Sequence, residues 1–93
     1  MSRMIWKYPL KVTDQQVIDF PSECPQILCL QMQKGIPTLW VEVNPESVTE
    51  RWLVHVYGTG HPLDDKMDER GLYIGTFMIE SGALVFHVYA RRA

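Results

Sequence analysis

Two alternating runs, QILCLQMQ at residues 26–33 and IPTLWVEVN at residues 36–44, are separated only by Lys34-Gly35. A tight-turn dipeptide between two runs of period two specifies an antiparallel hairpin. Successive side chains of a strand point to opposite faces. Leu28, Leu30 and Met32 therefore share one face of the first strand, and Leu39, Val41 and Val43 turn inward on the second.

The same period recurs along the chain. Met4–Leu10 alternates, with Met4, Trp6, Tyr8 and Leu10 expected to cover the core and Pro9 marking an edge or an ending. Gln15–Phe20, Arg51–Tyr57, Leu72–Ile79 and Ala83–Ala90 read as further strands, with Gly75 at a bulge. Thr13-Asp14, Pro21–Pro25, Pro45-Glu46-Ser47 and Glu80-Ser81-Gly82 punctuate them. Helical character is confined to single turns at Pro45–Glu50 and Leu63–Arg70, and Arg91-Arg92-Ala93 reads as a loose tail. Seven short strands predict one all-β domain over residues 1–93, an antiparallel sandwich or partly open barrel.

Composition narrows the function classes. Hydrophobic residues make up 46% of the chain, with three Trp, four Tyr and three Phe, which is ample for one core. A core of this size leaves little surplus stability, so association between copies is expected to help. A formal net charge of −2 argues against a nucleic-acid polymer as partner, because counterion release needs many Lys and Arg. No run approaches the ~18 apolar residues of a membrane span. The N-terminal MSRMIWKYPLK carries charges and a proline where a signal peptide has an apolar core, so a cytoplasmic protein is expected.

The informative feature is the set of residues turned away from the core. His-Val-Tyr occurs twice, as His55-Val56-Tyr57 and His87-Val88-Tyr89. Alternation places Trp52, Val54 and Val56 on one side and Leu53, His55 and Tyr57 on the other; likewise Leu84, Phe86 and Val88 oppose Val85, His87 and Tyr89. Thr38, Trp40 and Glu42 oppose the apolar set of their strand. A Leu-His-Tyr, Val-His-Tyr and Thr-Trp-Glu surface is too aromatic for an ordinary wet face and too polar for a dry core. Such side chains supply contact area with a polar tip, as interfaces and small-ligand sites require. The face is expected to be covered by another copy, by a ligand, or by both. The plainer alternative is that His55 and His87 are partly exposed sheet residues paired across strands.

Gly58-Thr59-Gly60-His61-Pro62 follows the first triplet. Two glycines permit positive φ and close approach, so successive N–H groups can form an anion-holding nest, with Thr59 and His61 adding donors. The loop is neither a Walker motif nor a dinucleotide fingerprint. As a plain alternative, it is a glycine-rich corner.

Other chemistry finds little support. Cys24 and Cys29 form a lone C-x4-C pair, which is no zinc motif, and Cys29 is expected to be buried in its strand. Asp64, Asp65, Asp68 and Glu69 lack the alternating oxygens of a calcium loop. Neither a metal nor another cofactor is expected. No local catalytic motif is recognisable, so no catalytic residue is assigned.

IWKYPLKVTD at residues 5–14, VYGTGHPL at 56–63, YIGTF at 73–77 and GALVFHVY at 82–89 resemble a family of small uncharacterised phage proteins. The blocks run through the chain in order. The resemblance implies a phage-encoded accessory protein acting in the bacterial cytoplasm, and it supplies no catalytic residues. By class and size, small oligomeric phage proteins include sponges for nucleotide signals of bacterial immunity.

Together these readings predict a homo-oligomeric protein that binds and sequesters a small anionic, nucleotide-like ligand without chemistry. Gly58, Thr59, Gly60 and His61 would hold phosphate, and His55, His61 or His87 would donate. Tyr57, Tyr89 or Trp40 would stack on a base, and Arg91 and Arg92 would add charge if the tail folds over a neighbour. The alternatives are a protein–protein inhibitor or structural phage component using the same aromatic face, and a nucleotide-cleaving enzyme.

Overall fold

The computed structural model describes residues 2–63 and 67–93. Seven strands carry the fold: β1 (Met4–Pro9), β2 (Gln15–Pro21), β3 (Gln26–Gln33), β4 (Ile36–Val43), β5 (Thr49–Gly58), β6 (Leu72–Ile79) and β7 (Leu84–Arg92). One helical turn, α1 (Met67–Arg70), precedes β6. The strands form two antiparallel sheets, ordered β1-β4-β3 and β2-β5-β7-β6, so the architecture is an all-β sandwich and not a closed barrel.

Each sheet contributes one face to the core. Leu39, Val41 and Val43 of β4 meet Val54 and Val56 of β5, Val88 and Ala90 of β7, and Phe20 of β2. Full burial of a Val, Leu or Phe side chain is worth roughly 1.5–3 kcal/mol, so this apolar layer dominates the stability. Phe20 also makes T-shaped contacts with two rings, Tyr8 at 4.9 Å and Trp52 at 5.9 Å between centroids. Burial pushes the Tyr8 hydroxyl above its usual pKa.

The crossover from β1 to β2 is fixed by backbone bonds. The Leu10 N–H donates to the Pro37 carbonyl at 2.8 Å, and the Val56 N–H donates to the Asp14 carbonyl at 3.1 Å. The Gln16 side chain spans the bend, donating to the Lys11 carbonyl and accepting from the Lys11 N–H.

Four sequence expectations are corrected. First, Met4 and Trp6 share a face with Val43 and Val41 yet remain exposed, Met4 by 51%, because β1 is an edge strand; only Tyr8 and Leu10 reach the core. Second, β3 is bulged between Ile27 and Cys29. The extra residue is Leu28, which is 44% exposed, while Ile27 and Leu30 pack inward and Met32 is exposed at the strand end. Cys29, next to inward-facing Leu30, lies opposite Trp40 on the outer face, where its thiol is exposed rather than buried.

Third, the C-terminus is not loose. Arg91 and Arg92 extend β7 opposite Leu53 and Trp52, and the Ala93 N–H donates to the Arg51 carbonyl at 2.9 Å. Fourth, β4 and β5 lie in different sheets, so Thr38, Trp40 and Glu42 face away from the His/Tyr set on the opposite outside of the sandwich. Thr38 is in addition fully buried, its hydroxyl donating to the Ile36 carbonyl.

Candidate functional site

Pairing of the two His-Val-Tyr triplets builds the outer face of the four-stranded sheet. β5 and β7 run antiparallel with Val56 opposite Val88, so His55 meets Tyr89 and Tyr57 meets His87. An identical triplet read in both directions thus yields a diagonal checkerboard of two imidazoles and two phenols. The rings pack on one another. His55 stacks on Tyr57 at 6.1 Å, and Tyr57 and Tyr73 each meet Tyr89 edge-on, at 5.6 and 5.5 Å. His55 is only 8% exposed, whereas Tyr57, His87 and Tyr89 are half-buried.

β6 adds residues the sequence reading missed. Simple alternation would put Tyr73 and Thr76 on opposite faces. A bulge at Ile74 resets the register, so Tyr73 lies opposite Tyr89 and Thr76 opposite His87 on one face. Gly75 beside this bulge was the available clue; a Cβ there would stand 3.2 Å from a Leu30 methyl, so the glycine relieves crowding where β3 packs on β6. Arg70 is the other missed residue. Its guanidinium lies 5.6 Å from the Tyr89 ring centroid, a cation–π contact on a ring expected to stack on a base.

The glycine loop closes the face. His61 N–H donates to the Gly58 carbonyl at 3.0 Å, and Gly60 has φ 88, the left-handed value that the third position of such a turn requires. The Thr59 N–H donates to the Val85 carbonyl at 3.1 Å. Two of the N–H groups expected to form an anion nest are therefore committed to backbone carbonyls, and the side chains carry the polar character. The Thr59 hydroxyl lies 2.7 Å from His87 Nε2, and the Thr76 hydroxyl lies 2.9 Å from Nδ1 of the same ring. The Tyr73 hydroxyl meets Thr76 in turn at 2.5 Å.

Seven of the eight expected ligand residues converge on one cleft. Tyr57, Gly58, Thr59 and Gly60 form one wall, His87 and Tyr89 the floor, and His61 with Leu63 the rim of a cavity of about 290 Å³. His55 lines the adjoining depression of about 400 Å³ with Asp14 and Gln15, and Tyr57 and His61 border both. Trp40, Arg91 and Arg92 are not part of it. Arg91 Nε donates to the Glu69 carbonyl at 2.8 Å, and Arg92 pairs with Glu50 at 3.0 Å. Asp64 and Asp65 lie outside the described residues. Among the described residues, no three His, Cys, Asp or Glu side chains converge as a metal would require.

The affiliation follows from a family model. The model described as Domain of unknown function (DUF7352) matches residues 1–93. The chain belongs to this family. The match spans both sheets and the cleft alike. No curated protein and no solved structure matches the chain. No described helix is long and apolar enough to cross a membrane.

Proposed function

We propose that this protein binds and sequesters a small anionic, nucleotide-like ligand in the cleft between the Gly58–His61 turn and the β7 floor. The observation that carries the reading is convergence: Tyr57, Thr59, His61, His87 and Tyr89, drawn from two stretches of chain far apart in sequence, line one cavity of about 290 Å³. That volume lies near the lower end of small-molecule sites and suits one ring with a polar appendage. Phenol and imidazole edges offer a base both contact area and hydrogen bonds, and Thr59 and His61 offer the polar end its partners.

The block resemblance supports a phage-encoded accessory role in the bacterial cytoplasm, where sequestering a nucleotide signal of host immunity needs affinity alone. The half-buried aromatic face supports a homo-oligomer in which a second copy covers part of it. The test is calorimetry with AMP, cyclic mono- and dinucleotides and ADP-ribose, with product analysis afterwards. Saturable binding with intact ligand is the expected result. Silence across the panel at millimolar concentration overturns the reading, and cleaved product replaces sequestration with turnover.

A second reading has its own observation. Val17, Tyr73 and Met78 are exposed on the same outer face as the cleft, a surface of the kind that docks a protein. Stoichiometric capture of one host protein, with indifference to nucleotides, would favour it.

A further inference from the structure

The side chains from Tyr73 to Thr59 form an unbranched chain of hydrogen bonds. Tyr73 Oη meets Thr76 Oγ1, Thr76 Oγ1 meets His87 Nδ1, and His87 Nε2 meets Thr59 Oγ1. Beyond it, Thr59 Oγ1 lies 3.4 Å from the Val85 carbonyl oxygen. Each hydroxyl holds one proton and a neutral imidazole holds one, so two orders run the donors in a single direction along the whole chain.

In the first order every donor points toward the cleft. Tyr73 donates to Thr76, Thr76 to Nδ1 and Nε2 to Thr59, leaving the Thr59 proton for Val85 or for an acceptor in the cleft. In the second order every donor points back. Thr59 donates to Nε2, Nδ1 to Thr76 and Thr76 to Tyr73, whose own proton goes to solvent. Passing from the second order to the first takes one proton from cleft water at Thr59 and gives one to solvent water at Tyr73, with no change in net charge.

The two orders differ in what the cleft meets at Thr59. An anionic oxygen accepts and cannot donate, so it is compatible with donation from Thr59 only in the first order. Resting on the reading above, we propose that His87, Thr76 and Tyr73 are a proton-ordered relay that an anionic ligand oxygen at Thr59 locks into one direction. Aligned hydrogen bonds polarise one another, so the lock strengthens the Thr59 donor. Tyr73 and Thr76 border β7 from β6 without lining the cleft, and act as positioning residues for the anionic part of the ligand. A neutral nucleoside, whose hydroxyl and amino groups both donate and accept, fits either order and gains no such selection.

The probes are AMP and adenosine, titrated into wild type, Tyr73→Phe, Thr76→Val and Thr76→Ser, with ¹⁵N spectra of the His87 ring. One intramolecular hydrogen bond is worth roughly a 3- to 10-fold change in affinity. AMP affinity should fall by about that factor in Tyr73→Phe and Thr76→Val, recover in Thr76→Ser, and leave adenosine affinity unchanged. AMP should also collect His87 into the tautomer protonated at Nε2. Undiminished AMP binding in both variants, or a tautomer indifferent to AMP, overturns the relay and leaves the binding site standing. Failure of AMP to bind wild type overturns the relay, and takes the site with it if the other nucleotides are equally silent.

Discussion

A Cβ placed on Gly58 would stand 2.9 Å from Nδ1 of His61 and 3.0 Å from Cε1 of the same ring. The imidazole that rims the cleft therefore packs directly on the Gly58 backbone, in the space a side chain there would take. Gly58→Ala is expected to push the His61 ring outward. The ring is at the rim and can move, so stability should change by less than about 1 kcal/mol. Nucleotide affinity should fall roughly 5- to 30-fold through the lost donor, measured by calorimetry beside the unfolding midpoint.

Gly71 is a different case. Its φ is 83, and a Cβ there would collide with the Ala90 carbonyl and the Arg91 side chain. Both obstacles belong to central strand β7, so neither can move aside cheaply. Gly71→Ala should cost about 2–4 kcal/mol in urea unfolding, the range for positive-φ strain combined with overpacking.

The β3 bulge separates two leucines only two positions apart. Leu30 packs on the core cluster and Leu28 is the exposed extra residue. Leu30→Ala is expected to cost about 2–3 kcal/mol and Leu28→Ala under about 1 kcal/mol. Equal losses in chemical denaturation would mean that the two share a face after all.

That pair also shows where sequence reading stops. Strand positions follow from alternation and turn residues, because both are local, and the strand starts of β2, β3, β4 and β6 are where the runs begin. A bulge shifts every later side chain by one face without any change in composition. Ile27, Leu28 and Thr76 are therefore the residues whose orientation alternation mispredicts or misses. Membership of a sheet is non-local, so nothing in VEV or HVY tells that Trp40 and His55 lie on opposite outsides of the sandwich. The cleft was legible because one repeated triplet and one glycine loop sit next to each other. Arg70 was not, since its place over Tyr89 depends on how the chain returns into β6.

Asp19 and Arg51 pair across β2 and β5 at 3.0 Å, and the guanidinium holds the Asp19 carboxyl below the usual carboxylate range. A depressed folded pKa adds stability that is present above the unfolded value near 3.8 and is lost as pH falls through the folded value. The pair is solvent-exposed, so the effect is small and screened by salt. Asp19→Asn should flatten the acid limb of the stability profile below about pH 4 and leave the neutral plateau nearly unchanged, as followed by thermal unfolding across pH.

The most direct test of the account is amide chemical-shift mapping of the full chain with AMP, the cyclic nucleotides and ADP-ribose. Shifts concentrated on Tyr57–His61 and His87–Tyr89, saturating with one of these ligands, are the expected result. Shifts confined to the opposite sheet around Trp40, or none for any nucleotide at millimolar concentration, would contradict it.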